Sequence, residues 1–196
     1  MNGDVRWRQT DAFDDLPNCP DHEKKFLFYA RTYTPHGGFS VSPTNDLVLN
    51  FKMGRHVSHA RLKYRERAIA RFAEEAGTFF ANYAAQAFAI VPATTSKPRG
   101  AASDDRLDRV AALVAQRATN VVSFPVLDSI AARQPHHDGA ARDVEDLVAN
   151  TRLLSEVAPL FDPVRVLVVL DDVLRTGATF EACRRVLAAR FPSATI

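Results

Sequence analysis

Val164–Thr179, VRVLVVLDDVLRTGAT, decides the architecture expected of this chain. Val166, Leu167, Val168, Val169 and Leu170 form a nearly all-apolar, β-branched run, the pattern of a parallel strand buried on both faces. The run stops at two carboxylates, so Asp171 and Asp172 are expected at the strand's carboxyl end. Arg175, Thr176, Gly177, Ala178 and Thr179 then predict a tight turn into an amphipathic helix, the place where open α/β sheets bind ligands.

A glycine in that turn lets a ligand approach the backbone, and the following helix aims its unpaired N–H groups and positive dipole end into the turn. With the hydroxyls of Thr176 and Thr179, this makes a phosphate cradle built from backbone amides. Two carboxylates just upstream would repel the phosphate, so they are expected to face sugar hydroxyls. Two other patterns share these residues. An apolar strand ending in acids also describes a Walker B segment, but that requires a G-x-x-x-x-G-K-[ST] loop, which is missing here. A simple strand, turn and helix capped by Thr179 without a ligand is the second.

Hydrophobic run, two acids and a Thr-Gly-x-Thr turn together resemble the phosphoribosyl pyrophosphate (PRPP) motif of the type I phosphoribosyltransferases. The resemblance implies that Asp171 and Asp172 contact ribose and that Arg175–Thr179 hold the 5-phosphate, with Arg175 at a position often occupied by threonine in that family. It extends to Ala87–Pro92, expected as a second buried strand. The loop after that strand, with Thr94, Thr95, Ser96, Lys97 and Arg99, resembles the family's pyrophosphate loop, whose hydroxyls donate to the diphosphate while cations offset its charge. Arg133, Gln134, Arg142 and Asn150, with the NFKMG segment at 50–54, resemble the narrower ComF-type, competence-associated group. That group's N-terminal zinc-finger cysteines are missing, so its link to DNA uptake is not carried over.

The implied fold is α/β, a mostly parallel sheet flanked by helices with a small N-terminal β hood. The organisation expected is an arm over 1–25, an antiparallel hood over 26–57 and a phosphoribosyltransferase-like core over 58–196. In the hood, FLFYARTYTP, FSVSP and LVLNF predict three short strands in a meander. Trp7 and Phe13 are expected to pin the arm. A helix over about 58–86 carries a buried stripe through Ile69, Phe72, Ala73, Ala76, Phe79 and Phe80, continuing to Tyr83 and Ala87, with Arg65, Arg67, Arg71 and Glu74 on a solvated face.

Asp104–Arg117 predicts a further helix with Ser103 as its cap, and 120–127 a short strand near a sheet edge because of Pro125. The first part of residues 128–148 reads as a mobile loop, and the resemblance implies that it closes over PRPP and brings Arg133 or Arg142 as a cation for the leaving group. His136, His137 and Asp138 lack a third ligand at metal-site spacing. Ser193–Ile196 begins a strand, leaving a short sheet edge that a homodimer or a partner protein would cover.

The 196 residues suit one domain. With 25 Lys+Arg against 23 Asp+Glu the net charge is +2, which gives no indication of nucleic-acid binding. Cys19 and Cys183 have no metal-ligand spacing, and no apolar stretch is long enough to span a bilayer or resembles a signal peptide, so a cytoplasmic, non-membrane protein is expected. The activity implied is transfer of phosphoribosyl from PRPP with Mg²⁺ to a nitrogenous base, releasing pyrophosphate. A module that senses PRPP or a nucleotide without catalysis is the alternative.

Overall fold

The computed structural model describes residues 6–10, 16–19, 26–100, 104–133, 143–154 and 164–196. Phe13, Ser103, Gln134, His136, His137, Asp138 and Arg142 lie outside them. The centre of the fold is a three-stranded parallel sheet of β3 (Phe88–Pro92), β4 (Val121–Ser123) and β7 (Val166–Leu170), in the order β4-β3-β7. All five residues of β3 are buried, as a central strand with helices packed around it requires. Its register against β7 runs from Phe88↔Val166 to Pro92↔Leu170, and its register against β4 starts at Phe88↔Val121. The expected α/β architecture, a parallel sheet flanked by helices, is therefore present.

β4 is an edge strand, as Pro125 implied. Beyond that proline the chain forms β5 (Leu127–Ser129), paired antiparallel with β6 (Thr151–Leu153). Asp128 and Ser129 are buried there, so the stretch expected to be mobile begins as ordered sheet. β7 is less enclosed than its composition suggests, since only Leu167 is fully buried. Its outer edge carries a single parallel bridge, Val166↔Thr195, in which Leu167 N–H donates to Thr195 O over 2.8 Å. Thr195 thus lies alongside β7 as an isolated bridge rather than as the strand expected over 193–196.

The hood differs from expectation. Only β2 (Phe28–Tyr29) forms, and it pairs with β1 (Arg8–Gln9) from the arm. LVLNF lies in helix α1 (Pro43–Phe51). The physical reason is a start signal stronger than the alternation: Ser42 Oγ accepts the Asn45 N–H over 3.0 Å and Pro43 occupies the first turn. Asn45, with no exposed surface, then gathers 34–38 around itself. Its Nδ2 donates to Thr34 O (2.8 Å) and Gly38 O (3.2 Å), and its Oδ1 accepts the Thr34 N–H (3.0 Å). That leaves no ladder for FSVSP. Trp7 does pin the arm, donating from Nε1 to Glu75 O over 2.9 Å and meeting Phe79 edge-on.

Helix α2 (His59–Ala81) buries Ile69, Ala73, Ala76 and Phe80 as expected, and ends before Tyr83 and Ala87. Arg65 departs from its expected solvated place. It is 3% exposed, donates from Nε to Met53 O over 3.0 Å and from Nη2 to Asp105 Oδ1 over 2.9 Å. Helix α3 (Arg106–Arg117) packs on α2. Asp105 occupies its N-cap position without a side-chain cap bond, because its carboxylate is spent on Arg55 and Arg65. Helices α4 (Val144–Ala149) and α5 (Ala178–Arg190) pack on each other and on β6. No helix among the described residues is long and apolar enough to cross a membrane.

Burial opposes ionisation of Asp105, yet the hydrogen bonds from Arg55 and Arg65 outweigh it and hold the carboxyl at about 2. Its folded pKa lies below its unfolded value, so the stability it contributes is present above about pH 4 and lost as pH falls toward 2. Asp105→Ala leaves Arg65 buried without its main counter-charge and is expected to cost about 3 kcal/mol in urea unfolding at pH 7. Asp105→Asn is expected to flatten the acid limb of the stability curve between pH 4 and 2.

Candidate functional site

Because Pro92 lies opposite Leu170, and Ala93 N–H donates to Leu170 O over 2.9 Å, the loops after β3 and β7 leave the sheet side by side. Both border one cleft of about 1440 Å³. Thr94, Thr95, Ser96 and Lys97 line it, together with Arg133, Asp171, Asp172 and all of Arg175–Thr179. Arg99, also expected to meet the ligand, is not brought to it, and neither is Asn150. Arg99 turns away: Nη1 and Nη2 donate to Asp108 over 2.6 and 2.8 Å, and Nε donates to Leu127 O over 3.1 Å.

The 176–179 turn has the form its residues require. Gly177 is the N-cap of α5 with φ +80° and no side-chain cap bond, so Thr179 lies inside the first turn and does not cap the helix. The N–H groups of that first turn have no intrahelical acceptor and carry the positive end of the dipole. Thr176 Oγ1 sits 3.5 Å from Ala178 N. Arg175 is exposed and makes no ion pair among the described residues.

A buttress from the arm went unread in the sequence. Leu16–Cys19 forms a β-turn, with Cys19 N–H donating to Leu16 O over 2.9 Å, and Asn18 N–H donates to Thr176 O over 3.0 Å. A Cβ on Gly177 would stand 2.9 Å from Cys19 Cβ. Phe180 packs on Leu16, Cys19 and Leu27. No local signal in LPNC announces this contact.

The 94–97 loop is held from beneath. Thr95 Oγ1 donates to Lys97 O (2.8 Å), Ser129 Oγ donates to Thr95 O (2.6 Å), and Arg133 donates from Nη2 to Thr95 O and from its backbone N–H to Ser96 O (2.8 Å each). Asn150 fixes the segment bearing Arg133, its Oδ1 accepting Ala131 N–H over 2.9 Å and its Nδ2 donating to Ala131 O over 3.1 Å. Arg133 thus shapes the loop while lining the cleft. Lys97 is exposed there, with no ion pair among the described residues. Below the loop Cys183 is fully buried and hydrogen-bonded with Thr94, and burial pushes its thiol up to about 11.

The two acids are unequal. Arg106 Nη2 donates to Asp172 Oδ2 over 2.7 Å and Lys52 Nζ lies 3.5 Å from Asp172 Oδ1. Asp171 is open to the cleft and makes no such contact; its Oδ1 accepts the Asp172 N–H over 2.7 Å. The protein enclosing Asp171 on its other sides, and the like charge of Asp172, push its carboxyl up to about 7 against the pull of that N–H, Lys52 and Arg106. Lys52 and Arg106 are site residues that sequence reasoning missed. Lys52 was visible only as part of NFKMG, and Arg106 as one charge among many on a helix.

Among the described residues no group of three or more His, Cys, Asp or Glu side chains is placed to hold a metal. Compared with protein-family models, curated proteins and solved structures, the chain matches none.

Gly177→Ala places an L side chain in a left-handed conformation, which costs about 1–2 kcal/mol, and drives its Cβ into Cys19. Thermal unfolding is expected to show the loss, and adding Cys19→Gly is expected to restore only the steric part.

For Asp171 the sign is opposite to that of Asp105. Its folded pKa, about 7, lies above the ordinary aspartate value of 3.8, so the folded protein holds the proton more tightly. Stability is expected to fall as pH rises from about 4 through 7. Asp171→Asn is expected to flatten that slope and to be the more stable protein above pH 7, as read by urea unfolding across the range.

Proposed function

We propose that this protein binds PRPP with Mg²⁺ and transfers its phosphoribosyl group to a nitrogenous base, releasing pyrophosphate. The observation that carries this reading is the arrival at one cleft of two loops from distant parts of the chain: the hydroxyl loop 94–97, and the loop after β7 with its acid pair and 175–179 turn. A phosphorylated sugar diphosphate presents matching chemistry at matching places along its length.

In this reading the first turn of α5 holds the 5-phosphate through backbone N–H groups, so binding energy from a remote group orients the reacting carbon. Asp171 accepts ribose hydroxyls. Thr94, Thr95, Ser96 and Lys97 meet the diphosphate, and Arg133 keeps their loop in shape. The bond from C1 to the diphosphate oxygen breaks and its electron pair leaves with pyrophosphate. The acceptor nitrogen's lone pair forms the new bond to C1; a purine or pyrimidine nitrogen then releases its proton to the departing pyrophosphate or to water, whereas a pyridine nitrogen keeps the positive charge. Positive charge on the ribose ring is offset by the carboxylates, and negative charge on the leaving group by Lys97.

Mg²⁺ suits the donor set without a protein cage. It binds oxygen, keeps much of its water shell and enters such sites on substrate phosphates. Carried on the diphosphate, it would supply charge neutralisation to the leaving group.

Calorimetry with PRPP and Mg²⁺ is expected to show binding by the natural chain and none by the Asp171→Asn/Asp172→Asn double variant, with circular dichroism unchanged. Pyrophosphate release on adding purine, pyrimidine or pyridine bases is expected only from the natural chain. Natural-chain binding without release from any base would transfer the reading to the sensing module, and absence of binding would remove it.

A further inference from the structure

Arg106 is the first residue of α3, where a cation opposes the helix dipole. Its presence there is therefore not explained by helix stability. Its side chain is 16% exposed, its guanidinium lies over the Phe51 ring with 5.2 Å to the centroid, and its two terminal nitrogens reach Asp104 and Asp172. Lys52, at the end of α1, reaches the other oxygen of Asp172. Two cations from two different elements thus engage the two oxygens of one carboxylate. That fixes both its rotation and its charge, while its neighbour Asp171 is left to face the cleft.

We infer that Arg106, seconded by Lys52, is a positioning residue that holds Asp172 as the fixed, charge-compensated member of the acid pair and leaves Asp171 as the member that meets the ligand. The inference takes its catalytic meaning from the phosphoribosyl reading. A polyanionic ligand must approach two adjacent carboxylates, and Arg106 and Lys52 remove much of that repulsion before it arrives. The charged and titratable groups facing the pair are Lys52 from the end of α1, Asp104 and Arg106 at the start of α3, and Cys183 on α5, whose thiol stays protonated.

The test combines ligand binding with a measurement that needs no ligand. Arg106→Gln is expected to weaken binding of Mg²⁺-PRPP about tenfold, the size of one charge-assisted hydrogen bond. Lys52→Met is expected to weaken it less, and Arg106→Lys to recover part of the loss. Arg109→Gln, whose partner Glu66 lies on the surface, is expected to change nothing. In an Asp172→Asn background, Arg106→Gln is expected to have little further effect. An undiminished effect there would mean that Arg106 touches the ligand itself and would overturn the positioning role.

Aspartate carboxyl titration by carbon NMR on the ligand-free protein separates this inference from the reading beneath it. Arg106→Gln is expected to move the titration of Asp171 to higher pH, and Arg109→Gln to leave it in place. A shifted titration with no PRPP binding by the natural chain would retain the positioning of Asp172 and remove the phosphoribosyl reading. An unmoved titration would remove the positioning role even if PRPP binds.

Discussion

The in-register parallel pairing of β3 with β7 is the constraint on which the site depends. Side chains alternate faces along a strand, so a slip of one residue would turn every side chain of the slipped strand to the opposite face of the sheet. The register is held by full burial of Phe88, Ala89, Ile90 and Val91. Pro92 ends the strand, lacking the N–H that would continue the ladder, and the next donor, Ala93, bonds the last carbonyl of β7. Two loops separated by more than seventy residues are thereby released at the same height. Neither loop alone describes a site.

Charge compensation follows a consistent rule around this sheet. Asp105 is met by Arg55 and Arg65, Asp128 by the Arg99 N–H and Arg152, Glu181 by Arg184 and Arg185, and Asp172 by Arg106 and Lys52. Burial pushes each of Asp105, Asp128 and Glu181 toward the neutral form, yet their partners keep all three below the usual carboxylate range. Among the described residues Asp171 alone of the shifted carboxyls moves upward. A lone carboxyl held near neutral in a cleft is the arrangement expected where a protein handles a ligand, whereas the compensated acids are explained by structure.

The parts legible in the sequence were those with a strong local period. β3 and β7 declared themselves as apolar runs, α2 by its stripe, and the turn into α5 by a glycine that the left-handed φ of Gly177 requires. The hood failed where two local signals competed: alternation in LVLNF suggested a strand, but the Ser42 cap and Pro43 favoured a helix, and Asn45 settled it through bonds to residues seven and eleven positions away. Arg65 failed because a helical wheel cannot show that a carboxylate from another helix waits on the far side. Lys52 and Arg106 escaped for the same reason, since what defines them is a contact with Asp172. Arg99 had the residue type for an anion loop, but the nearer Asp108 claims it.

The Leu16–Cys19 turn, tied to Thr176 and packed on Gly177, has a consequence for how the molecule is made. Its partner lies more than 150 residues further along, so during synthesis the turn waits, without its docking place, until that part of the chain has emerged. Contacts closing so long a loop are entropically costly and form late. The 176–179 turn therefore acquires its final shape late in folding. A chain stalled before α5 would keep the Trp7 anchor on α2 but leave Leu16 and Cys19 without Phe180, an uncovered apolar surface that chaperones and proteases can recognise.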